Sequence, residues 1–121
     1  VPHVHGRHRK VFGMHDLYSK FNWVCLMRDE SEGEVLRCLK EWDTFARAAR
    51  VECRNLHTDN YTSYHTPAVT AFVRDTMRCR YTTSPPHTPR SNGTSERQWR
   101  VMGNDTRRLL NHARLPRNFA W

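Results

Sequence analysis

The chain has 121 residues, enough for one domain, and its 37% hydrophobic content with four tryptophans excludes disorder over most of its length. Lys plus Arg number 20 against 12 Asp plus Glu, for a formal net charge of +8. No apolar run approaches the roughly 18 residues of a membrane span. No signal peptide is read, and Cys25, Cys38, Cys53 and Cys79 stand singly without a C-x-x-C pair, so the expectation is an intracellular protein, not secreted and not membrane-inserted, with reduced, packed thiols.

Along the chain, short apolar runs at 11–14 and 23–27, joined by Asp16-Leu17-Tyr18-Ser19-Lys20, predict a strand pair with a tight connection. Ser31 with Glu34 three residues on has the form of a capping box. Val35, Leu39, Trp42, Ala46 and Ala49 then recur at helical steps, which predicts an amphipathic helix over 32–50. A strand over 51–57 should exit at the polar cluster Thr58-Asp59-Asn60. Thr66-Pro67 offers an N-cap and an N1 proline for a helix to about 77, followed by a short edge strand at 78–81. Pro85, Pro86, Pro89 and Gly93 make 82–93 a flexible loop, and Trp99, Met102, Leu109, Leu110 and Ala113 support a final helix over 94–113, with Gly103 costing about 1 kcal/mol relative to Ala. The order β-β-α-β-α-β-α is that of a single three-layer α/β domain, 1–121, with a mixed sheet.

The charge is unevenly placed. Residues 1–10, a basic, His-rich arm or remnant first strand, sum to +3, residues 11–89 to zero, and residues 90–121 to +5. A phosphate-facing surface has this form if the two ends meet in space, and a solubilising surface accounts for the charge as well.

Two-metal phosphoryl transfer needs carboxylates that hold the ions roughly 3.5–4 Å apart. Asp59 at a strand end and Glu96 in the first turn of the last helix are candidates, with a turn Asp and a Glu paired to Arg100 as the plain reading. The surrounding segments add to this. His57-Thr58-Asp59-Asn60, the run Ser84-Pro85-Pro86-His87-Thr88-Pro89-Arg90-Ser91-Asn92-Gly93-Thr94-Ser95-Glu96-Arg97, Leu115-Pro116-Arg117-Asn118-Phe119 and Asp16-Leu17-Tyr18-Ser19-Lys20-Phe21-Asn22-Trp23-Val24 all contribute. Together, in this order, they resemble the integrase core of retroviruses and, more closely, of copia-type retrotransposons.

That resemblance implies an RNase H-like three-layer domain, a mixed sheet flanked by helices with its first strand short or missing. It implies a metal-dependent Asp-Asp-Glu site, using Mg²⁺ or Mn²⁺ if active, that processes and joins DNA ends in the nucleus. Asp59 would be the second carboxylate and Glu96 the third, both as metal ligands, with Asn60, Asn92 and Gly93 shaping the site. A homodimer is carried over from the family. Arg90, Arg97, Arg100, Arg107 and Arg108 would meet nucleic-acid phosphates, which needs no metal.

The departures are as specific. In one register His3 of His3-Val4-His5-Gly6-Arg7 stands where the first metal-bridging Asp belongs, and a neutral imidazole cannot bridge two Mg²⁺ ions. In the other, that Asp lies upstream of Val1 and the chain is a fragment. Either way the triad is incomplete, and loss of catalysis is the expectation, with no cofactor then required. Tyr61 and Ser63 depart from the family's Gly and Glu after the Asp-Asn pair. His3, His5, His8 and His15 match no zinc-finger spacing. The competing hypothesis is a domesticated integrase fold serving as a structural or scaffolding subunit of a larger protein or ribonucleoprotein assembly, in which case an organelle is the other compartment.

Overall fold

Asp16 organises the turn that returns the first strand upon itself. In the computed structural model, which describes residues 10–84 and 93–114, β1 (Lys10–His15) pairs antiparallel with β2 (Asn22–Met27), Phe12 opposite Cys25 and Met14 opposite Trp23. The Asp16 carboxylate accepts the N–H groups of Tyr18 and Ser19, and Lys20 closes the turn at φ 65 by donating its own N–H to the Asp16 carbonyl at 2.9 Å. These bonds hold the Asp16 carboxyl below its usual range, the Ser19 contacts foremost.

α1 (Glu32–Ala48) starts at Ser31, whose hydroxyl accepts the Glu34 N–H. Val35, Cys38, Leu39, Trp42 and Ala46 are its buried stripe. Glu34 does not return to Ser31: its carboxylate accepts the Arg28 N–H at 2.8 Å, while Ser31 donates to Asp29 at 2.9 Å. The helix ends in a Schellman closure, with Val51 donating to Ala46 O, Arg50 to Arg47 O, and Arg50 at φ 56. That closure takes up Arg50 and Val51, so the strand expected from 51 begins later, as β3 (Asn55–Thr58).

A 3-10 turn forms at Thr62–Tyr64, where the sequence pattern predicts no element. α2 (Pro67–Ala71) has the expected Thr66 cap, but the helix predicted to run evenly to 77 widens into a π-helical turn over Phe72–Thr76. Val69, Val73 and Met77 recur at steps of four, and a wider turn keeps such a row on the core side. Arg78 closes this helix at φ 55, so the edge strand cannot start at 78, and β4 spans Arg80–Thr83. Thr82 and Thr83, expected in the loop, therefore belong to a strand, and 85–92 of that loop lie outside the described residues. α3 (Gly93–His112) runs unbroken through Gly103.

The chain is mixed α/β. In place of one mixed sheet, the described residues form two ladders, the antiparallel β1–β2 pair and a parallel β3–β4 pair. Both belong to one core: Phe12, Cys25 and Met27 meet Val35, Cys38, Leu39, Val69, Val73 and Cys79, with Leu56 and Tyr81 packed against them. All four cysteines are free thiols, and burial pushes Cys79 up to about 12, so it carries little thiolate at neutral pH. Among the described residues no helix is long and apolar enough to cross a membrane.

Candidate functional site

Asp59 follows the last residue of β3 and is exposed. Its carboxylate accepts the Tyr61 N–H at 3.1 Å, and its carbonyl accepts from His65 Nε2 at 2.9 Å. Tyr61 sits at φ −69, so the position where the resembled family has Gly requires no left-handed backbone and the turn is unstrained. The Tyr61 hydroxyl donates to Glu30 Oε2 at 2.9 Å, and Lys10 Nζ lies 3.5 Å from Glu30 Oε1. Glu30 thus ties the exit of β3 to the start of β1. Tyr64, beside them, is pushed up to about 12, first by burial and then by the charges of Asp59 and Glu30.

β3 is fixed to β4 by a side chain as well as by its ladder. His57 reaches across with Nδ1 2.9 Å from Thr82 Oγ1 and Nε2 3.0 Å from the hydroxyl of the buried Ser84. That bracket holds the segment ending in Asp59.

Glu96 stands in the first turn of α3 and is exposed. α3 leans on the hairpin: the Trp99 indole lies directly on Gly13, where an added β-carbon would overlap the ring. Gln98, Trp99 and Met102 border a cavity of about 20 Å³ with Met14, His15 and Trp23. A glycine between bulky strand residues signals such an approach, and Gly13 between Phe12 and Met14 is that signal in the sequence.

No hydrogen bond or ion pair joins Asp59 to Glu96, or Glu96 to Arg100, among the described residues. Nor is any group of three or more His, Cys, Asp or Glu among them placed to hold a metal ion. Among the described residues, Asp59 and Glu96 are therefore not joined by a third such residue into a two-metal centre. His3, the candidate first position, and Arg90 lie outside the described residues, as do Asn92, His5 and His8. His15 directs Nδ1 to Asn22 Oδ1 at 2.7 Å.

Arg97, Arg100, Arg107 and Arg108 are all exposed along α3. Arg107 donates to Asn104 Oδ1 at 3.1 Å, and Arg108 lies 3.4 Å from Asp105. Such exposed, single contacts leave the guanidinium groups accessible to phosphates. No protein-family model matches the chain, and no curated protein matches it.

Proposed function

We propose that this chain is an integrase-core-like domain of RNase H-like, three-layer fold, related to DNA integration, that has lost strand-transfer catalysis and retains contact with nucleic acid. The observation that carries the reading is the placing of Asp59 immediately after β3, with Glu96 in the first turn of the long helix α3. The pairing of the strands agrees with it. Among the described residues β1 pairs only with β2 and β3 only with β4, which leaves each an edge to which the central strand implied by the resemblance could pair. In this reading Arg97, Arg100, Arg107 and Arg108 bind phosphates, and Mg²⁺ or Mn²⁺ is a cofactor only of the active ancestor.

The test is a DNA nicking and joining assay with Mg²⁺ and with Mn²⁺, beside a binding titration. Binding that weakens steeply from low to moderate salt, with no turnover above that of Glu96→Gln, is expected. Metal-dependent turnover abolished by Glu96→Gln would overturn the loss of catalysis, and salt-independent binding would overturn phosphate recognition.

A second reading, a scaffolding subunit of a larger assembly, draws on α3: Val101 and Leu109 are 46% and 68% exposed on that helix. Stoichiometric co-purification with partner proteins would favour it, and a monodisperse free monomer would count against it.

A further inference from the structure

Residues 11–89 are neutral in sum, but the fold does not leave them neutral in space. α1 carries Glu32 and Glu34 in its first turn, just after Asp29 and Glu30, and Arg47 in its last. Its 17 residues separate those ends by about 25 Å. Asp59 joins the acidic end, because Tyr61 bonds Glu30.

The opposite end collects arginines from two segments distant in sequence. Arg47 Nη2 donates to the Thr76 carbonyl at 3.1 Å, and the Arg80 N–H to the Arg54 carbonyl at 2.8 Å. These bonds draw 47–54 and 74–80 together, and the two segments carry six arginines against Glu52 and Asp75, a net +4. Arg47 is engaged by Asp43 at 2.9 Å, and Arg54 loosely by Glu52 at 3.6 Å with both side chains more than four-fifths exposed. Arg50, Arg74, Arg78 and Arg80 are exposed and form no ion pair among the described residues. The Asp16 carboxylate is occupied by its own turn.

We propose that this pole, formed by Arg50, Arg54, Arg74, Arg78 and Arg80, is a binding surface for the phosphate backbone of nucleic acid, separate from α3 and independent of the integrase reading. Every cation in it is arginine, whose planar fork fits phosphate oxygens in pairs and is weakly hydrated. A protein partner would call for an apolar centre. Val51, 49% exposed, is the one large hydrophobic residue exposed in the two segments. At the far end of α1, Asp29, Glu30, Glu32 and Asp59 outnumber Lys10 and Arg28, so of the helix's two ends the arginine-rich one faces a polyanion favourably.

Anisotropy of a labelled oligothymidylate, read across a salt series on the whole chain, tests this. Arg54→Ala, Arg74→Ala, Arg78→Ala and Arg80→Ala combined should weaken binding about tenfold or more and flatten the log–log salt slope by about 2 to 3, at roughly 0.7 per phosphate released. Arg100→Ala with Arg107→Ala on α3 should leave that share of the slope in place. Against misfolding of the fourfold variant, phenylglyoxal modification of the unaltered chain should be suppressed by the oligonucleotide at Arg54, Arg74, Arg78 and Arg80. Unchanged affinity and slope in the fourfold variant, no protection of these arginines, or polyglutamate binding lost in that variant while oligothymidylate binding persists would each overturn the proposal.

Discussion

Gly13 and Trp99 decide how the last helix meets the hairpin. Because the indole lies on the Cα of Gly13, Gly13→Ala forces ring or strand to move and should destabilise the fold by roughly 1–3 kcal/mol. In a Trp99→Ala background the same change should cost much less, and urea unfolding of the four chains in that cycle reads the difference. Equal costs in both backgrounds would show that the contact does not hold α3. Glu34 makes a second residue-scale prediction. The Arg37 guanidinium, and after it the Arg28 N–H, hold its carboxyl down to about 2 from an ordinary 4.5. A depressed folded value means stability that is present above about 4.5 and lost as pH falls from there toward about 2. Glu34→Gln should therefore cost about 1 kcal/mol at neutral pH and only a small part of that near pH 2. Urea midpoints across that window check it, and parallel curves for the two proteins would refute it.

At the scale of elements, three helix ends share an unusual choice. Arg50, Arg78 and Arg114 occupy the left-handed region at φ 56, 55 and 55, where glycine is the common residue. Each strains its backbone by about 1 kcal/mol. Arg50→Gly should accordingly raise stability by up to about 1 kcal/mol while weakening oligothymidylate binding, a split between thermal midpoint and affinity that a purely structural arginine would not give. These ends also mark where the sequence stopped being informative. Val35, Leu39, Trp42 and Ala46 announce α1 because their spacing repeats the helical period, and Thr66-Pro67 announces α2 because both residues suit a helix start. Arginine carries no comparable signal for a left-handed closure. The sequence pattern therefore predicts the starts of β3 and β4 four and two residues early, on residues that the closures or the segment before the ladder occupy. The π turn was equally silent, since Val69, Val73 and Met77 fit an ordinary helix closely enough in sequence.

For the molecule as a whole, charge summed along the sequence concentrates at the two chain ends. The neutral middle hid a separation that appears only when α1 sets acids and arginines at opposite ends and Arg54 is brought beside Arg80. Asp59 was legible from its polar exit after a strand, and Glu96 from its place after the loop; what joins them to the rest, Glu30 and Trp99, depends on contacts across tens of residues. The same contacts predict how the protein comes apart. Both ladders, α1 and α2 contribute to one buried cluster, whereas no described residue of α3 is fully buried and its Trp99, Val101 and Leu109 remain exposed. Opening α3 sacrifices little packing, so its amides should exchange through local release at a free energy well below that of global unfolding, while α1 amides exchange only when the core opens. Trp99→Ala should abolish most of the protection along α3 and leave that of Val35 to Ala46 nearly unchanged. Native-state hydrogen exchange at rising urea separates the two cases: α3 amides that merge with those of α1 into one isotherm would mean that the helix belongs to the cooperative core after all.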